Sequence, residues 1–100
     1  MRTFEGRQLT AARALAELTV LELAEAAGVT PRTIHRLEIG GVIDIAAKKR
    51  HGHVSREVWT KITDALARHN VAFTPEDDAH GAGVRWILPR ARRPSSAPSR

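Results

Sequence analysis

Apolar positions along the first seventy residues recur at three- and four-residue intervals, and each such run ends at a recognisable stop. Leu9, Ala12, Leu15, Ala16 and Leu18 follow this spacing through Arg7–Leu18, a stretch without Gly or Pro, and predict a first helix. Thr19, with Glu22 three residues on, forms a capping-box pattern. A second helix is therefore expected over Val20–Ala27, with Leu21, Leu23, Ala24 and Ala27 apolar and Gly28 as its stop. Thr30 can cap a third helix that has Pro31 at its first position, where a missing N–H costs nothing. Ile34 and Leu37 give this helix an inward face, and Gly40-Gly41 ends it.

Beyond that point the pattern changes. Val42, Ile43 and Ile45 fit either a short extended piece or a helical turn begun by Asp44. Ser55 is an N-cap for a further helix, Arg56–His69, with Val58, Trp59, Ile62, Ala65 and Leu66 on one side. Glu57 in its first turn and Arg68 and His69 in its last match the helix dipole, and His69 is read as structural. Val71-Ala72-Phe73 and Val84–Leu88 read as two short strands around the turn-rich Thr74–Gly83, a hairpin whose register the sequence does not fix. Trp59 is expected in the core, and Trp86 in the core or at an interface. The expected fold is mainly α, with four to five helices, a C-terminal β-hairpin over 71–88 and a disordered basic tail over 89–100. No internal repeat is visible.

Composition narrows the functions. One hundred residues, 42% apolar and 27% charged, make one small globular domain without room for a large catalytic cleft. The chain has no cysteine, which excludes disulfides, thiolate nucleophiles and Cys-based metal sites. Aromatics are 4%, too few for a platform that stacks single-stranded bases. No apolar run approaches a membrane span and the N-terminus lacks a signal-peptide core, so a cytoplasmic location is expected. There is no nucleophile–base pair, carboxylate dyad or phosphate-binding Gly-rich loop; no enzymatic activity and no cofactor are expected. His51 and His53 have no third ligand at a suitable spacing, and no metal is expected there. Glu76-Asp77-Asp78 reads as a solvated loop.

The net charge is +5, but it is unevenly placed. Residues 89–100 hold four Arg and no acid, whereas the other 88 carry 12 basic and 11 acidic side chains, so the tail is +4 and the body +1. Affinity for a polyanion must come from where the body's charges sit, not from their sum. Cut tails of this kind often change nothing measurable; the functional reading is an arm that adds affinity along the DNA backbone or minor groove.

The stretch 19–40 carries the most information. It has a small residue, Ala24, where two helices would cross closely, Gly28 at a turn, Val29 to plug the turn and Ile34 and Leu37 to anchor the second helix. That is the pattern of a helix-turn-helix, in which the second helix protrudes into a major groove while the first lies across the backbone. The outward residues would be Pro31, Arg32, Thr33, His35 and Arg36, after Thr30. Arg32 and Arg36, one turn apart, are suited to guanine or phosphate, although a solvated helix face is the plainer reading of such charges.

On Thr19, Leu23-Ala24, Gly28-Val29-Thr30, Ile34, Leu37-Glu38 and Gly40, residues 7–70 resemble the lambda-repressor/Cro-like (XRE-type) helix-turn-helix family. The resemblance implies a DNA-binding domain over 1–70 of four or five helices, bound to operator DNA as a dimer. It also implies a structural salt bridge between Arg13 and Glu38, worth roughly 3–5 kcal/mol if well buried and less if wet. The family usually has Gln after the Thr19 position; here it is Val20, so one phosphate brace is missing, and Thr19 is left as the phosphate contact there. The segment Gly41–His53 is longer than usual and contains Lys48-Lys49-Arg50, which resembles an enlarged phosphate clamp.

The expected function is a sequence-specific transcriptional regulator, read as a repressor, that takes helix 31–39 into a pseudo-palindromic duplex as a homodimer. The last helix and residues 71–88 would form the dimer contact. The alternative is an antitoxin that represses its own operon and binds a toxin partner.

Overall fold

The structure, a computed structural model, describes residues 3–46 and 54–90. Lys48, Lys49, Arg50, His51 and His53, and the tail beyond Arg90, lie outside the described residues. The fold is mainly α. Strand β1 (Thr3–Glu5) leads into α1 (Gly6–Leu15), followed by α2 (Val20–Ala27), α3 (Pro31–Ile39) and β2 (Val42–Ala46). Then come β3 (Val54–Ser55), α4 (Arg56–Arg68), β4 (Val71–Thr74) and β5 (Gly83–Trp86).

Two expectations need correction, and one open alternative is decided. The first helix stops at Leu15 rather than Leu18. Glu17 adopts a left-handed conformation (φ 59°), so the Leu18 N–H folds back onto the Arg13 carbonyl at 3.0 Å and the Glu17 N–H onto Ala14 at 3.0 Å. This is a Schellman closure without the usual glycine, and it turns Leu18 onto the core. Residues 42–46, ambiguous from sequence, are extended: β2 pairs antiparallel with β1 (Phe4 opposite Ile43) and parallel with β3. The second correction is at the C-terminal strand, which ends at Trp86, not Leu88. Ile87 and Leu88 instead bond to Asn70, whose carbonyl accepts the Ile87 N–H at 2.9 Å and whose Oδ1 accepts the Leu88 N–H at 2.8 Å. Asn70 stands in the left-handed region (φ 66°), which its short polar side chain tolerates better than most.

Leu9, Leu23, Ile34, Ile62, Leu66 and Val71 are fully buried between the four helices and β4. Each such side chain contributes about 1.5–3 kcal/mol on leaving water. A second layer is aromatic: Trp59, buried on α4, lies 4.9 Å from Phe4 and 5.4 Å from Phe73 between ring centres. The β1 and β4 strands are thereby packed onto α4 through three of the chain's four aromatic rings. The hairpin is tied to α1 by Gln8, a buried amide that sequence patterning passes over. Its Nε2 donates to the carbonyls of Gly83 (2.9 Å) and Thr74 (3.4 Å), the pair of the hairpin nearest its loop, while Oε1 accepts the Glu5 N–H at 3.2 Å. Among the described residues, no helix is long and apolar enough to cross a membrane.

Candidate nucleic-acid interface

The turn between α2 and α3 is fixed almost entirely by local chemistry. The Thr19 hydroxyl accepts the Glu22 N–H at 3.0 Å, and the Glu22 carboxylate accepts the Thr19 N–H at 2.8 Å. These contacts hold the Glu22 carboxyl below its ordinary range, the backbone N–H of Thr19 being the largest cause. Gly28 takes φ 72°, and the Val29 N–H reaches back to the Ala24 carbonyl at 3.0 Å. Thr30 then caps α3, accepting the Thr33 N–H at 3.2 Å, with its hydroxyl 2.9 Å from that of Thr33. Because Ile34 is buried and Leu37 half-buried, the 3.6-residue period turns Pro31, Arg32, His35 and Arg36 outward, and all four are exposed.

Thr33 is half-buried and its hydroxyl is engaged with Thr30. The Thr19 oxygen accepts the cap bond, next to the Glu22 carboxylate, and its O–H donates to no group among the described residues. Neither the Arg32 nor the Arg36 side chain makes a hydrogen bond or ion pair among the described residues. The third group of anticipated contacts, Lys48, Lys49 and Arg50, lies outside the described residues.

Two braces hold α3 in place. Arg13 grips Glu38 with two parallel bonds, Nε to Oε2 at 2.7 Å and Nη2 to Oε1 at 3.0 Å, and its Nη1 donates to the Leu18 carbonyl at 3.1 Å. Thr10 adds a hydroxyl bond to Glu38 Oε1 at 3.0 Å. The Glu38 side chain is 8% exposed and Arg13 21%, so the pair is largely shielded from water. The hydrogen bond to Glu38 raises the Arg13 pKa further despite partial burial, and the guanidinium stays charged throughout the working range.

The other brace uses backbone at both ends. Gly6 starts α1 against the end of α3: its N–H donates to the Gly41 carbonyl at 2.7 Å, and a Cβ there would fall 2.6 Å from the Leu37 carbonyl oxygen and closer still to that of Glu38.

Sequence reasoning missed Gly6, Thr10 and Gln8. Arg68 stands in the last turn of α4, as its place near the helix dipole requires, and its Nη2 also donates to Ala26 O at 2.7 Å, capping the end of α2. Of these four, only Arg68 had a signal, a cation near a helix end. Elsewhere, Asp77 accepts the backbone N–H groups of Ala79 and His80, which lower its pKa, and Glu76-Asp77-Asp78 is an exposed loop. Among the described residues, no three His, Asp or Glu side chains converge as metal ligands would. No known family model matches this chain, and no curated protein matches it.

Proposed function

We propose that the chain is a sequence-specific DNA-binding transcriptional regulator, a repressor, whose α2 and α3 act as a helix-turn-helix. The observation that carries this reading is the outward face of α3: Arg32 and Arg36, one turn apart, exposed, and engaged by no group of the described protein. Guanidinium groups free of internal partners are suited to bidentate bonds with guanine O6 and N7 or to phosphate. The helix beneath them is anchored by Ile34 and by the Glu38 brace, so little freedom would be lost on docking. The resemblance of residues 7–70 to the lambda-repressor/Cro-like proteins points the same way.

In this reading α3 enters the major groove, α2 crosses the backbone, and Lys48-Lys49-Arg50 adds phosphate contacts. Two copies associate through α4 and residues 71–88, where Trp86, Ile87 and Leu88 are 37%, 39% and 40% exposed, placing two α3 helices about 34 Å apart on a two-fold site. Selection of bound fragments from random duplex DNA tests the proposal. The wild-type chain should enrich one sequence, and Arg32→Ala or Arg36→Ala should each lose about 1–3 kcal/mol and relax preference at one position. Enrichment of nothing by the wild-type chain would refute it. A monomer in sedimentation, both free at tens of micromolar and on the selected DNA, would refute the dimer.

A further inference from the structure

The outward stripe of α3 holds one group whose charge is not fixed. Arg32, His35, Arg36 and Ile39 stand at i, i+3, i+4 and i+7, and all four are exposed. His35 thus shares its face with two guanidinium groups that stay charged at any working pH. Histidine is the side chain that ordinarily gains or loses its proton between pH 5 and 8. The His35 ring makes no hydrogen bond or ion pair among the described residues.

The inner side of α3 packs on α1 and α2, and no charge there is bonded to this ring. Glu38, one turn beyond His35, is taken by Arg13 and Thr10. Arg7 on α1 and Glu17 just past it bond to nothing on α3 among the described residues. On α2, Glu22 is committed to its cap, and Glu25 lines a shallow groove with Leu21 and Pro31 at the start of α3.

The protein therefore offers the ring no acceptor, whereas a duplex offers many. A neutral imidazole has one N–H and one lone pair; an imidazolium has two N–H donors and no lone pair. Phosphate oxygens and guanine O6 and N7 only accept, so a duplex favours the protonated ring both by hydrogen bonding and by charge. In the complex the charges of Arg32 and Arg36 are matched by the same acceptors, so they do not oppose a third beside them.

We propose that His35 takes up a proton as α3 enters the duplex and donates to an acceptor there, a phosphate oxygen or guanine O6 or N7. The bound state then holds more protons than the free state, so DNA affinity rises as pH falls through the neutral range. The inference rests on the DNA-reading function proposed above and gives that surface a pH dependence.

The test uses the full chain and the duplex it selects, at fixed salt. Lowering the pH from 8 to 6 should tighten wild-type binding about tenfold, the effect of a preference worth one pH unit. The affinity of His35→Gln should not change over this range, while the double variant His51→Gln/His53→Gln should keep the wild-type dependence. Unchanged melting of the variants at both pH values shows that the fold is intact. A phosphate partner steepens the wild-type log–log salt slope by about 0.9 at pH 6 relative to pH 8. A guanine partner leaves the slope alone and adds a preferred guanine to fragments selected at pH 6. If wild-type affinity does not change with pH, if His35→Gln keeps the change, or if neither slope nor selection responds, the inference falls alone. If wild type selects no sequence at either pH, the DNA-reading function falls and the inference with it.

Discussion

Arg13 and the pair Arg32 and Arg36 are the same residue type in opposite circumstances. Arg13 is clamped by Glu38, Thr10 shares that carboxylate, and Gly6 lets the two helices touch backbone to backbone. Arg32 and Arg36 project from the face of α3 turned away from Glu38, and their side chains are held by nothing among the described residues. The contrast teaches that α3 has an inner face spent on the fold and an outer face that the fold leaves unspent. A guanidinium that has already satisfied a carboxylate stabilises a structure; one that has not is costly to confine and worth most when a ligand supplies the acceptors.

The comparison breaks most readily at its tied end. Ala normally gains 0.5–1 kcal/mol over Gly inside a helix. At Gly6 the sign should reverse, because the added carbon meets the carbonyls of Leu37 and Glu38. Gly6→Ala should cost about 3 kcal/mol, read in denaturant titrations, and a neutral result would mean that α1 does not press on α3. Arg13→Ala and Glu38→Ala should each cost up to about 3 kcal/mol, with the double variant costing clearly less than their sum. Additive losses would show that the two side chains act separately. At the untied end, Arg32→Ala and Arg36→Ala should change stability by no more than about 0.5 kcal/mol while weakening DNA binding, which separates the two faces in one pair of measurements.

Smaller effects sharpen the picture. Glu17→Gly should stabilise by about 0.5–1 kcal/mol, since relief of the left-handed backbone exceeds the entropy glycine adds to the unfolded chain. The smallest effect is on pH dependence. Glu22 and Asp77 have folded-state pKa values depressed by backbone N–H donors. Their contributions are therefore fully present above the ordinary values of 4.5 and 3.8, and are lost as pH falls through the depressed ones. Acid unfolding of Glu22→Gln should accordingly be less steep than that of wild type, and an identical profile would show that the cap carries no charge dependence.

Much of this was legible because it is local. The Thr19–Glu22 box, the Gly28 stop and Thr30-Pro31 act within one turn of chain, so residue type alone fixed the start and end of α2 and the start of α3. The Arg13–Glu38 pair was anticipated through the family resemblance; the spacing of the two residues does not reveal it. The early end of α1 escaped because Glu17 carries no sign of a left-handed conformation, and β1 escaped because three residues are too few to show alternation. Gln8, Gly6 and Arg68 owe their roles to partners 75, 35 and 42 positions away, at Gly83, Gly41 and Ala26.

By itself, then, the sequence determined where three of the four helices begin and which side of each is apolar, since capping and periodicity are settled by neighbours a few residues apart. Only the tertiary structure decided that residues 42–46 join β1 in a sheet, that Leu21 and Glu25 converge with Pro31 in one groove, and that Arg13 is occupied while Arg32 and Arg36 are not. Those outcomes depend on which distant groups the packed core brings within bonding reach, and that distance is not written in any single stretch of chain.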